Sequence, residues 1–77
     1  MDTATDKLRN AFVQALSIDK ELVVDSLAYQ SIPQWDSITH MILISEIEST
    51  FDISIDTDDV IDMSSFAKAK EIISKYI

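Results

Sequence analysis

The chain has 77 residues, 47% of them hydrophobic, with no cysteine and a formal net charge of −8. That length allows one domain around one apolar core and leaves no room for a deep catalytic cleft, and the hydrophobic content excludes a disordered tail. Without cysteine, neither a disulfide framework nor a cysteine-based zinc site can support the fold, so packing must hold it.

Leu8, Ala11, Phe12, Ala15 and Leu16 fall on one face of a 3.6-residue repeat and predict a first helix from Thr3 or Asp6 to Ser17. Thr3 with Asp6, or Asp2 itself, is placed to satisfy the N–H groups of its first turn. Residues 18–36 show no sustained period, and Pro33 disfavours helical geometry at Ile32. Leu22, Val23, Leu27, Tyr29, Ile32 and Trp35 are too apolar for a solvated linker. The stretch reads as a long ordered loop, with one helical turn near Lys20–Val24, pinned to the bundle by those side chains. Loops of this length in small domains are uncommon and often functional.

A second helix is expected from Asp36–Ser37 to Phe51, with Asp36 as N-cap, Ser37 at the first helical position and Asp52 following the last apolar residue. His40, Leu43, Ile44, Ile47 and Phe51 form its core stripe. Ile38, Met41 and Ile42 form a second, shorter apolar stripe confined to the first two turns, more than one core-facing side requires. Residues 52–56 alternate as an extended link. Thr57–Asp62 predicts a brief third helix, capped by Asp56 or Thr57, turning Val60 and Ile61 inward. The last helix begins with Ser64 or Ser65 as cap, carries Phe66, Ala69, Ile72, Ile73, Tyr76 and Ile77 on its apolar side, and places Lys75 at the negative end of its dipole. The expected fold is all-α: a small four-helix bundle with three longer helices, a short third one and a long loop between the first two.

The charge is unevenly placed. Residues 21–67 hold ten acids and no lysine or arginine. Such a field repels nucleic acid and anionic membranes and steers basic protein surfaces toward it. No apolar stretch approaches a membrane span, and the polar segment Met1 to Asn10 is unlike a secretory leader, which makes the cytoplasm the expected location. With no cysteine and no coiled-coil seam, a monomer is expected.

Asp36–Ser37 carries the chemistry of interest. An Asp-Ser pair at a helix start usually means capping alone. A serine there also projects its hydroxyl beside the unpaired N–H groups at the positive end of the helix dipole, where a phosphate ester is stabilised by roughly 0.3–1 kcal/mol if exposed. The run Trp35-Asp36-Ser37-Ile38-Thr39-His40-Met41 resembles the Asp-Ser-Leu signature of acyl carrier proteins, with Ile in place of Leu. The similarity continues in register through Glu46-Ile47-Glu48-Ser49-Thr50-Phe51-Asp52-Ile53-Ser54-Ile55, the acidic Asp58–Asp62 segment and Ser64-Ser65-Phe66. With Leu8, Phe12 and Leu16 it covers nearly the whole chain.

The resemblance implies a carrier with 4′-phosphopantetheine joined through a phosphodiester to Ser37, installed by a phosphopantetheinyl transferase. It also implies an acyl- or aminoacyl-loading ligase and a downstream transferase or synthase as partners, with no catalysis by the carrier itself. Asp36 is then the cap beside the attachment site, and Ile38, Met41, Glu48, Asp58 and Asp59 are the candidate partner contacts. Gln34 stands where family members often have Gly, and Thr39 and Ile42 where fatty-acid carriers commonly have acids. The Gly-Gly-rich signature of peptidyl carriers is missing. These departures point to a discrete carrier of a dedicated pathway, its cargo acyl, hydroxyacyl or aminoacyl.

Other readings remain open on the residues alone. An unmodified acidic helical interaction module needs no arm. A Ser37–His40 dyad would need an orienting group and an oxyanion site, and His40 is expected instead to border the core or the arm. Asp52, Ser54, Asp56 and Asp58 mimic a calcium loop, but its sixth position is Thr57 and its twelfth Met63, against Gly and Glu in such loops. Trp35 and Tyr29 are expected to seal the core. Met41 suits either gap-filling or an adaptable binding surface.

Overall fold

In a computed structural model, which describes residues 3–77, the chain is a small all-helical bundle. Helix α1 spans Thr3–Leu16 and is followed by a 3-10 turn at Lys20–Leu22; α2 spans Ser37–Phe51, α3 Thr57–Asp62 and α4 Phe66–Ser74. Among the described residues there is no strand, only an isolated bridge between Ala28 and Ser65.

The apolar stripe of α1 is buried through Leu8, Ala11, Phe12 and Leu16. Asp6 pairs with Arg9 at 3.3 Å, and the capping role considered for Asp2 lies outside the described residues. Phe12 sits at the centre of the core. It meets Trp35 edge-on at 5.2 Å between ring centroids and Phe66 at 5.1 Å, the T-shaped geometry that aromatic quadrupoles favour.

The chain has no glycine, so its tight reversals fall on other residues: Ser17, Gln30 and Asp52 take positive φ of 54°, 65° and 55°. Asp52 ends α2. Its N–H donates to the Glu48 carbonyl, which also accepts from Ile53 N–H at 3.1 Å, satisfying the end of the helix as a glycine C-cap would.

The long loop is fastened at several points. Ile18, Val23, Leu27 and Trp35 are buried. Tyr29 N–H donates to Ser64 O at 2.8 Å and Phe66 N–H to Leu27 O at 2.9 Å, and Arg9 Nε–H donates to Val23 O at 3.2 Å. Leu22, expected to help pin the loop, instead faces solvent, because the 3-10 turn gives the inward position to Val23.

Two expectations are corrected in α3. Val60 is half-buried, but Ile61 is 74% exposed and it is Asp59 that turns inward, at 9%. With six residues the helix has under two turns, and its facing is decided by partners. Lys75 Nζ donates to Asp59 Oδ1 at 2.7 Å, Tyr76 Oη–H to Asp59 Oδ2 at 2.5 Å, and Met63 fills the core position below. Asp56 occupies the N-cap position without a side-chain capping bond; its own N–H donates to Tyr76 Oη at 3.0 Å.

Ser65 caps α4, accepting from Lys68 N–H at 3.0 Å, and Phe66, Ala69, Ile72 and Ile73 are buried. Tyr76 lies beyond the helix as a half-buried clamp on α3, and Ile77, expected on the apolar side, is exposed.

Candidate functional site

Ser37 is the first residue of α2, exposed, and its side chain makes no hydrogen bond within the protein. The turn that presents it is built locally. Asp36, in extended geometry at the N-cap, accepts from Ile38 N–H at 3.1 Å and Thr39 N–H at 2.9 Å. Thr39 Oγ1 returns the bond, accepting from Asp36 N–H at 2.9 Å and donating to Gln34 O at 2.5 Å. This is a capping box with threonine at the third helical position. The Thr39 N–H, and then the hydroxyl of the same residue, hold the Asp36 carboxyl below its ordinary value of 3.8.

The same box corrects one expectation. The N–H groups of Ile38 and Thr39 are not free beside Ser37; Asp36 has already taken them. Any support for an anion on Ser37 comes from the helix dipole, not from a ready cluster of donors.

Beside Ser37 lies an open groove of about 320 Å³ between the start of α2 and α3, lined by Tyr29, Ser37, His40, Met41, Val60, Ile61, Met63 and Ser64. Grooves of about 300 and 330 Å³ lie elsewhere, one along Leu8, Lys70 and Ile73 and one along Asp59, Lys68 and Lys75. Size therefore does not single out the first; contact with Ser37 does. The short stripe of α2 is exposed as expected, Ile38 at 73%, Met41 at 59% and Ile42 at 50%, and Ile61 extends the apolar area across to α3.

His40 lines this groove, half-buried. Trp35 Nε1–H can only donate, and it donates to His40 Nδ1 at 3.0 Å. The ring hydrogen therefore sits on Nε2, 2.8 Å from the Val60 carbonyl. The indole and imidazole planes lie within 22° of each other, their centroids 6.1 Å apart, edge to edge as that bond requires. Both ring nitrogens are committed to the fold, and neither is left to take a proton from Ser37.

The predicted contact residues separate into two groups. Ser37, Asp36, Ile38 and Met41 share one exposed end of α2, and Asp58 is exposed in the first turn of α3. Glu48 is half-buried and its Oε2 accepts from Ile55 N–H at 2.9 Å, tying α2 to the following link. Asp59 faces inward. The Lys75 hydrogen bond, and then that of Tyr76, hold its carboxyl below 3.8; the same contact raises Lys75 above 10.5 and Tyr76 above 10.0. Both carboxylates are thus engaged within the fold, Glu48 with Ile55 N–H and Asp59 with Lys75 and Tyr76.

The groove's far side escaped the sequence. Tyr29, Ser64, Val60 and Ile61 come from three separate segments and share no local pattern. The Thr39 box was within reach, since an acid and a hydroxyl three residues apart can reciprocate. Among the described residues no group of three or more His, Cys, Asp or Glu is arranged to hold a metal ion, and no helix is long and apolar enough to cross a membrane. No family model, curated protein or solved structure matches the chain.

Proposed function

We propose that the chain is a carrier protein, bearing a 4′-phosphopantetheine arm on Ser37 and presenting the arm's cargo to partner enzymes. The observation that carries this reading is the Ser37 hydroxyl: exposed, unpartnered, at the first position of a 15-residue helix and on the edge of an apolar groove. A modifying enzyme can reach that oxygen without displacing any bond of the fold, so the residues present fit such a group. When bound, the arm supplies a thiol that holds acyl, hydroxyacyl or aminoacyl groups as thioesters.

The chain's own residues do the presenting. Asp36 and Thr39 fix the direction in which Ser37 points. Ile38, Met41, Ile42 and Ile61 offer an apolar area, with Asp36 and Asp58 exposed at the starts of α2 and α3 and Asp62 exposed at the end of α3. Such a surface suits a partner with a hydrophobic socket and basic edges, the chemistry expected of a phosphopantetheinyl transferase, a loading ligase or a downstream synthase.

Co-expression with a promiscuous phosphopantetheinyl transferase, followed by intact-mass measurement, tests the proposal. One phosphopantetheine gained, and lost again in Ser37→Ala, is the expected result. An unchanged mass would overturn it in favour of an unmodified acidic interaction module.

A further inference from the structure

The hydrogen-bonded chain Trp35–His40–Val60 does more than fasten two helices. Trp35 is fully buried, packed edge-on against Phe12 and against Tyr29, whose ring centroid is 6.1 Å away; Tyr29 also meets His40 at 5.4 Å. Moving His40 aside would strip the Trp35 N–H of its acceptor and the Val60 carbonyl, near the end of a short helix, of its donor. No buried side-chain polar atom among the described residues lacks a partner, so the protein tolerates no such orphan elsewhere. Above this layer the groove is open, with walls from Met41, Val60, Ile61 and Met63 and the unpartnered hydroxyls of Tyr29 and Ser64 among its lining.

Resting on the carrier reading, we infer that the Trp35–His40–Val60 layer closes the core beneath Ser37, so that cargo stays in the surface groove and is a compact acyl group, not a long alkyl chain. An alkyl chain threaded into a core gains burial with every methylene, whereas one lying over a closed floor gains nothing once the groove is filled. The free hydroxyls add hydrogen-bonding capacity that a paraffin chain cannot use.

The chain holds a single tryptophan, so the indole N–H of Trp35 gives one assignable resonance in the layer itself. Nitrogen-15-labelled protein is converted by a promiscuous phosphopantetheinyl transferase with acetyl, butyryl, octanoyl or dodecanoyl coenzyme A, conversion being followed by intact mass. The expected result is one indole resonance position for all four products and a Tm that levels off by the butyryl form. Either an indole resonance that moves with chain length or a Tm that climbs from butyryl to dodecanoyl overturns the inference while leaving the carrier reading intact. A chain that gains no mass overturns the carrier reading, and this inference with it.

Discussion

At the start of α2, Asp36 and Thr39 close their reciprocal capping bonds within four consecutive residues, so the start of the helix is specified locally. Across the groove, α3 has no capping side chain and takes its position from His40, Lys75 and Tyr76, residues 16 to 20 places away from their partners in sequence. One wall is thus made locally and the other is held by tertiary bonds. A serine awaiting modification benefits from the first arrangement, since its direction survives fluctuation elsewhere. A wall held by a few long-range contacts opens more readily, because each contact is a separate point of failure.

Trp35→Ala attacks the support common to both walls. The loss of a fully buried indole is expected to cost about 3–5 kcal/mol in chemical denaturation, a large part of the stability of a domain this size. A cost under about 1 kcal/mol would mean that Trp35 does not anchor the core.

His40→Leu separates the walls. It leaves the Trp35 N–H and the Val60 carbonyl unpaired, an expected loss of about 1–3 kcal/mol. Amide hydrogen exchange should accelerate in α3 and remain slow at the start of α2. Equal acceleration in both helices would show that the two walls do not differ in this way.

Tyr76→Phe is a gentler break on the α3 side alone, removing one donor to Asp59 and the acceptor of Asp56 N–H. Its expected effect on Tm is smaller than that of His40→Leu and pH-dependent. Asp59 has a depressed folded value, so its contribution is present above 3.8 and lost as pH falls through the folded value. Lys75 and Tyr76 have raised values, so theirs are present below 10.5 and 10.0 and lost as pH rises through the folded values. Thermal melts should therefore show the mutant's full deficit across the neutral range and a smaller one once acid protonates Asp59, the part owed to the lost Asp56 N–H acceptor remaining. A deficit that stays the same from neutral pH down to the acid limb of the melt series would show that Asp59 is not the group involved.

Met41→Glu should scarcely alter stability, within about 0.5 kcal/mol for an exposed site, while slowing transfer to or from partner enzymes. Equal transfer rates in mutant and parent would remove Met41 from the docking area.

The same contrast explains what could be read from the chain in advance. The bounds of α2 were legible because Asp36, Ser37 and Asp52 mark its ends locally and Leu43, Ile44 and Ile47 repeat on one face. The short stripe Ile38, Met41 and Ile42 was legible for the same reason, as surplus to the core. In α3, Ile61 and Asp59 exchanged their expected places. No periodicity can be tested over six residues, and the side chains that decide the matter, Lys75 and Tyr76, belong to the far end of the chain. Glu48 shows the same limit: the resemblance implies a partner contact there, and no local pattern announces the bond its carboxylate accepts from Ile55 N–H, seven residues on.

Ser17, Gln30 and Asp52 bend left-handed in a chain with no glycine. For an L-residue that conformation costs roughly 1–2 kcal/mol, less for Asp, whose short polar side chain tolerates it. The fold therefore carries a reserve of unused robustness. Glycine at Ser17 or Gln30 would relieve the bend, with part of the gain returned as extra freedom of the unfolded chain. Because none of the three lines the groove beside Ser37, that reserve can be drawn on to toughen the domain while its working end is left as it is.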